Sequence, residues 1–242
     1  MGHASSFPTL GVVCGLALEA ALLPPGVRTL CLGPGPRAAA IAARRLLAEG
    51  CGALVSFGTA GGLDPALPPG TLLLPTAVVR AEPLESPASA DESGPPALFP
   101  VADALLAALR AQGLAANHGL LAGVDDPVTT PDAKAALTRA TGACAVDMES
   151  HAIAAVAHAA RRPFLVVRAV ADPADRGIPA WALKGVDAEG ATRAIPVLAA
   201  VVARPTRIPA LIALARDAGC ARETLTHAGH FLAALASGSS EG

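Results

Sequence analysis

The chain has 242 residues, a length that fits one large α/β domain better than two small ones. Hydrophobic residues make up 52% and charged residues 16%, with 18 Lys and Arg against 20 Asp and Glu, so nucleic-acid binding has no electrostatic basis. Five widely spaced cysteines without a CxxC pair (Cys14, Cys31, Cys51, Cys144 and Cys220) argue against a metal site and read as reduced, mostly buried apolar residues.

Taken in order, Gly11 to Ala17 (GVVCGLA) reads as a buried strand and Arg28 to Gly33 as a second. A helix is predicted from Pro36 to Glu49, with Pro at its start and Gly50 just beyond its end. Ala53 to Phe57 is a third strand, entering a glycine-rich loop that starts at Gly58. Thr71 to Arg80 reads as one strand, and 82–97, rich in Pro, Ser, Glu and Ala, as a mobile loop. Ala102 to Gln112 is helical by pattern, Gly119 to Ala122 starts a short strand, and Pro131 to Ala140 is a helix. Ala143 to Val146 is a strand, Glu149 to Ala160 an alanine-rich helix, and Pro163 to Ala171 (PFLVVRAVA) the clearest buried strand. Residues 190–236 read as two or three apolar helices broken at Pro196, Pro205 and Pro209, and 1–8 and 237–242 as flexible tails. Mean hydropathy is +0.50, yet no apolar run reaches the roughly 20 residues a spanning helix needs. No transmembrane segment or signal peptide is expected, and the location expected is the cytoplasm, with peripheral membrane contact left open.

Strands alternating with helices imply βαβ units, and in such sheets the site lies beyond the carboxyl ends of the strands. Three of those ends carry acids: Glu19 after the first strand, Asp147 and Glu149 in VDMES, and Asp172 and Asp175 in ADPAD. A fourth carries Gly58-Thr59-Ala60-Gly61-Gly62. Singly, each has a plainer reading as a first-turn acid, helix cap or tight turn. Together, carboxylates separated in sequence and converging in space suit acid-base work on a polar substrate.

Two strings, SFGTAGGLDPALPPGTLLLP (56–75) and VDMESHAIAAVAHAARRPFLVVRAVADPAD (146–175), resemble the glycine loop and catalytic segment of the purine nucleoside phosphorylase and nucleosidase family. GLALEAALL (15–23) and GVDDPVTT (123–130) agree more weakly, and the likeness covers about residues 11–176. DRGIPAWALKGVDAEG (175–190) and RPTRIPALIALARDAG (204–219) resemble the hopanoid-associated, phosphorylase-like branch. The resemblance implies a single-domain, three-layer α/β fold over residues 1–242, with a central mixed twisted sheet flanked by helices, and an assembly as a homodimer. It implies catalytic roles for Asp172, as the acid at purine N7, and for Glu19, as the base that activates water. It implies that Glu149 holds the ribose hydroxyls, Met148 packs on the sugar, and Thr59 stands beside the anomeric carbon between Gly58 and Ala60. It implies a backbone contact to the base at Val128. No metal or cofactor is implied, and phosphate is the one co-substrate left open.

The chain also departs from the family. Phosphorolytic members with a hexameric assembly carry an arginine where this chain has Ser56, and another in the first loop, where it has Glu19. Both changes favour water over phosphate, and Arg37 has no clear counterpart. Pro127 replaces the usual stacking aromatic, and Trp181 could be a pocket wall or simple packing. His151 and His158 read as one helix face. The branch implies adenosylhopane as substrate, losing adenine to leave ribosyl- or phosphoribosylhopane. A soluble nucleoside such as methylthioadenosine or futalosine, and a non-catalytic nucleoside-binding module, are the alternatives.

Overall fold

Ten residues from Ala53 to Gly62 form the strand, β3, around which the sheet is arranged. The computed structural model describes residues 8–81, 97–183, 190 and 203–237. Before β3 come β1 (Leu10–Cys14), α1 (Ala17–Ala20), β2 (Arg28–Cys31) and α2 (Pro36–Ala48). After it come β4 (Leu72–Leu73), β5 (Ala77–Arg80), β6 (Leu98–Pro100), α3 (Asp103–Arg110), β7 (Leu120–Gly123), α4 (Pro131–Thr141), β8 (Ala145–Asp147) and α5 (Ser150–Ala159). The described chain closes with β9 (Phe164–Asp172), α6 (Ala180–Leu183) and α7 (Ile208–Ser237).

The strands form one mixed sheet in the order β2-β1-β3-β8-β7-β5-β6, with β9 pairing β3 and β4 off this path. β3 runs parallel to β1 and to β9, and its last residues run antiparallel to β8. Helices α2 and α5 pack side by side against the sheet, while α7 lies along β9 and touches α3. The core is mostly aliphatic, as the composition requires: Leu54, Val55, Leu165 and Val166 are all fully enclosed, with Phe57 among them.

Several elements differ from the sequence expectation. The glycine-rich stretch is strand, not loop, because Gly58 to Gly61 continue the ladder with β9. The first strand stops at Cys14, and Glu19 sits on the short helix α1. Pro75 splits the expected strand from Thr71 to Arg80 into β4 and β5, since proline cannot donate to a ladder. β6 is three residues long and ends in Pro100, too short to have carried a pattern. Pro209 does not break a helix: it sits in the first turn of α7, where its missing N–H has no partner to lose. Most of the expected loop at 82–97, the segment 191–202 with Pro196, and most of both tails lie outside the described residues.

The 30-residue α7 is held by one stripe. Asp217, Ala221, Leu225, Ala228, Leu232 and Leu235 are buried at steps of three and four residues, the spacing of one helix face. Among the described residues no helix is long and apolar enough to cross a membrane. Leu225→Ala is expected to cost about 2–5 kcal/mol, while Ile212→Ala, at an exposed position of the same helix, stays within about 0.5 kcal/mol. Urea unfolding of the two variants measures the difference.

Candidate active site

The carboxyl ends of β1, β3, β8 and β9 surround a cavity of about 200 Å³. Glu19, Thr59, Ala60, Val128, Met148, Glu149 and Asp172, seven of the residues marked out in the sequence, line it. Gly58, the eighth, does not. It stands behind the wall, where a Cβ would lie 2.6 Å from both Arg168 Nη1 and Glu19 Oε2. Its service is to leave room for those two side chains.

Arg168 is the feature that sequence reasoning missed. It sits inside the apolar strand β9 and is almost wholly buried. Nη2 lies 2.6 Å from Asp147 Oδ2 and 3.2 Å from Glu149 Oε2, and it donates to Ser56 Oγ at 2.8 Å. Nη1 donates to the Thr59 carbonyl at 3.0 Å. Burial works hardest against its charge, but Asp147, Glu149 and Glu19 together outweigh it and raise its pKa further. The available signal was a lone charge in the middle of a nine-residue apolar run.

The acids fall into separate settings. Glu19 Oε1 accepts from the Thr59 amide at 2.8 Å and from its hydroxyl at 2.9 Å, while Oε2 accepts from Leu16 N at 3.1 Å. Glu19 is thus a first-turn acid of α1 whose side chain also lines the cavity. Glu149 Oε1 accepts from Gly35 N at 2.9 Å. Burial pushes its carboxyl above the usual range, opposed by Arg168 and aided by Asp147 and Glu19. Asp147 also lines the cavity, yet it is occupied: besides Arg168 it takes the Ser150 amide at 3.1 Å and the Ser150 hydroxyl.

Asp172 stands apart from that network. β3 and β9 fall out of step between Ala60 and Gly61, which pairs with Asp172 and leaves Ala171 unopposed. Such a bulge re-aims the side chain beside it. Burial raises the Asp172 carboxyl above the ordinary carboxylate range, and Lys134 offsets part of the rise. Lys134, also missed, is a lone lysine in an alanine-rich helix, with Nζ 2.5 Å from Asp172 Oδ2.

Other candidates lie elsewhere. Arg37 lines a separate groove with Arg44 and Arg80. Trp181 is outside the cavity lining and has the Arg207 guanidinium 5.7 Å from its ring centre. His151 is buried against Asp125 at 3.0 Å, and His158 meets the edge of Phe99. Asp175 is exposed outside the lining, whereas Pro127 and Ile178 lie in the cavity wall.

The phosphorylase superfamily profile matches residues 12–204. The chain is similar in structure to a Helicobacter pylori MTAN mutant with 5′-methylthioadenosine in the active site, at 17% identity, over 96% of this chain and 99% of that one, TM-score 0.68. It is similar to the 5′-methylthioadenosine/S-adenosylhomocysteine nucleosidase of Neisseria meningitidis in complex with methylthio-immucillin-A, at 19% identity, over 94% and 100% of the chains, TM-score 0.68. The native futalosine hydrolase of H. pylori strain 26695 matches at 17% identity, over 94% and 97%, TM-score 0.65. At such identities the likeness establishes a common fold, the mixed sheet flanked by helices that the sequence implied.

Removing the Arg168 cation would leave Asp147 and Glu149 buried without a partner. Arg168→Met is expected to destabilise the protein by about 3–5 kcal/mol in urea at pH 7. A loss below about 1 kcal/mol would mean that water, not the guanidinium, compensates the two carboxylates.

Proposed function

The chain belongs to the phosphorylase superfamily, and on that footing we propose that it cleaves the N-glycosidic bond of an adenine nucleoside, with water as the attacking group and adenosylhopane as the substrate. The observation that carries this reading is the separation of the acids. Asp172 stands on one side of the cavity with a raised pKa, while Glu19 is bound to Thr59 beside Arg168.

Breaking the bond from the anomeric carbon to N9 sends an electron pair to the base and leaves positive charge on the sugar. In its protonated form, which burial favours and Lys134 opposes, Asp172 gives its proton to N7 of the departing adenine. Glu149 binds the ribose hydroxyls and sets negative charge near the oxocarbenium-like centre. Glu19 takes the proton of the attacking water, which adds to the anomeric carbon, so one water is consumed and adenine leaves neutral. Met148 packs on the sugar, and Val128 and Pro127 border the base.

Water is favoured over phosphate by charge. Among the described residues lining the cavity, Arg168 is the one cation, and Asp147 and Glu149 already occupy it. A phosphate dianion would meet Glu19 without an unshared counter-charge. The lipid-linked substrate rests on the likeness of 175–190 and 204–219 to the hopanoid-associated branch. Gly190, the last residue of the first of these stretches, accepts a hydrogen bond from Ala17 N at 3.1 Å, beside Gly15 and Leu16 of the cavity wall.

An adenine-release assay with and without phosphate tests the proposal. Adenosylhopane is expected to yield adenine without phosphate, faster than methylthioadenosine or futalosine. No release from adenosylhopane in either buffer would refute the substrate, and faster release from a soluble nucleoside would replace it. Asp172→Asn is expected to lower the rate by about 10²- to 10⁴-fold. Adenine binding without turnover, unchanged in that variant, would indicate a binding module.

The pH dependence follows from the same shift. Asp172 works while protonated, so activity is lost as pH rises through its folded pKa. Because burial raises that pKa, the alkaline limb lies above the usual carboxylate range, and it disappears in Asp172→Asn. A pH-rate profile with no limb attributable to Asp172 would count against the role.

A further inference from the structure

Lys134 is buried on α4, in a helix whose other charges, Asp132 and Arg139, lie near its two ends. An ammonium group has three protons to donate. Here all three are used: Asp172 Oδ2 at 2.5 Å, the Pro173 carbonyl at 2.7 Å and the Arg176 carbonyl at 3.1 Å. The lysine thus grips one oxygen of Asp172 and the turn that follows it. That turn is tied in turn to α7, where Arg176 Nη1 lies 2.9 Å from Asp217 Oδ2. The other oxygen, Asp172 Oδ1, accepts no hydrogen bond from any described residue, and Asp172 lines the cavity.

We propose that Lys134 is a positioning residue that acts through Asp172: it fixes Oδ2 in the protein, presents Oδ1 to the departing base, and stabilises the carboxylate that proton transfer leaves behind. The inference rests on Asp172 being the acid of the proposed reaction. Before transfer, a neutral carboxyl group faces the ammonium. As the bond to N9 breaks, its electron pair goes to the base and the Oδ1 proton moves to N7. The carboxylate left behind is then half of an ion pair in a shielded site. The attraction is greater after the transfer than before it, which is the condition for an interaction to speed a step. Burial by itself favours the neutral carboxyl and so opposes the transfer. The lysine opposes that effect, with Arg176 acting in the same sense and Asp217 against it. These three are the charged groups facing Asp172 from α4, its own turn and α7.

A purely structural lysine, there only to pin the turn from Pro173 to Arg176, would do its work without its charge reaching Asp172. Lys134→Gln keeps a donor for the carbonyls and removes the charge, while Lys134→Arg keeps the charge. Two measurements on the full chain separate the readings. The first is a carbon-13 NMR titration of the Asp172 carboxyl without substrate. The second is kcat and KM against pH, using whichever of adenosylhopane, methylthioadenosine and futalosine the wild type turns over fastest.

In Lys134→Gln the Asp172 midpoint is expected to rise by at least about one pH unit, since a cation favouring the charged form is gone. The alkaline limb of kcat moves up with it, kcat falls by about tenfold or more, and KM changes by less than about threefold. Lys134→Arg keeps the midpoint near the wild-type value. An unmoved midpoint in Lys134→Gln overturns the proposal, and so does a loss of kcat with the limb in place. If Lys134→Gln does not fold, Lys134→Arg decides: a wild-type midpoint and limb support the role of charge, and a raised midpoint refutes it. Full activity in Asp172→Asn would overturn the functional reading and this proposal together, whereas an unmoved midpoint overturns this proposal alone.

Discussion

The ion pair between Arg168 and the carboxylates of Asp147 and Glu149 is the constraint on which the site depends. Three acids cannot gather at the ends of neighbouring strands without a counter-charge, because burial penalises each charge and the acids repel one another. A guanidinium suits this task, since it stays charged and its flat fork serves several partners at once. It reaches Ser56 and Thr59 on β3, Asp147 on β8 and Glu149 at the start of α5 from its place on β9. One buried side chain thus ties together the elements that form the cavity wall.

The backbone pays for that arrangement in glycine. Arg168 and Glu19 press against Gly58, Glu149 against Gly15, and Asp172 against Gly61. At Gly58 and Gly15 a Cβ would lie under 3.0 Å from a charged side chain, so any larger residue would push the polar groups apart. The small residues of GTAGG are best explained by what stands next to them. Their strand conformation follows from pairing with β9, which supplies the ladder partners.

The two sides of the cavity are electrically different, and the proposed cleavage draws on that difference. Around Arg168, carboxylates and hydroxyls form a continuous polar cluster. Across from it Asp172 is mostly buried with Lys134 as its close partner, so two opposed influences set its affinity for a proton. In the proposed cleavage the leaving base and the sugar develop opposite charges, and that proposal assigns one to each side.

Much of this was legible in the sequence, because strand ends announce themselves. The apolar runs read from the sequence end at Ala17, Phe57, Val146 and Ala171, and of the acids just beyond them Glu19, Asp147, Glu149 and Asp172 line the cavity while Asp175 does not. The resemblance of 56–75 and 146–175 to a known family supplied the fold. What the sequence could not supply was any property that depends on a distant partner. Arg168 is a single charge inside an apolar strand and Lys134 a lone lysine in an alanine-rich helix, and neither shows its partner until the fold brings their acids within 2.6 Å and 2.5 Å. GTAGG looked like a loop because glycine carries no strand signal of its own, and only pairing with β9 makes it a strand. The sequence determined which chemical groups stand at the strand ends. Tertiary structure alone decided that Glu149 and Asp172 are pushed towards their neutral forms, because that depends on burial and on neighbours separated by dozens of residues.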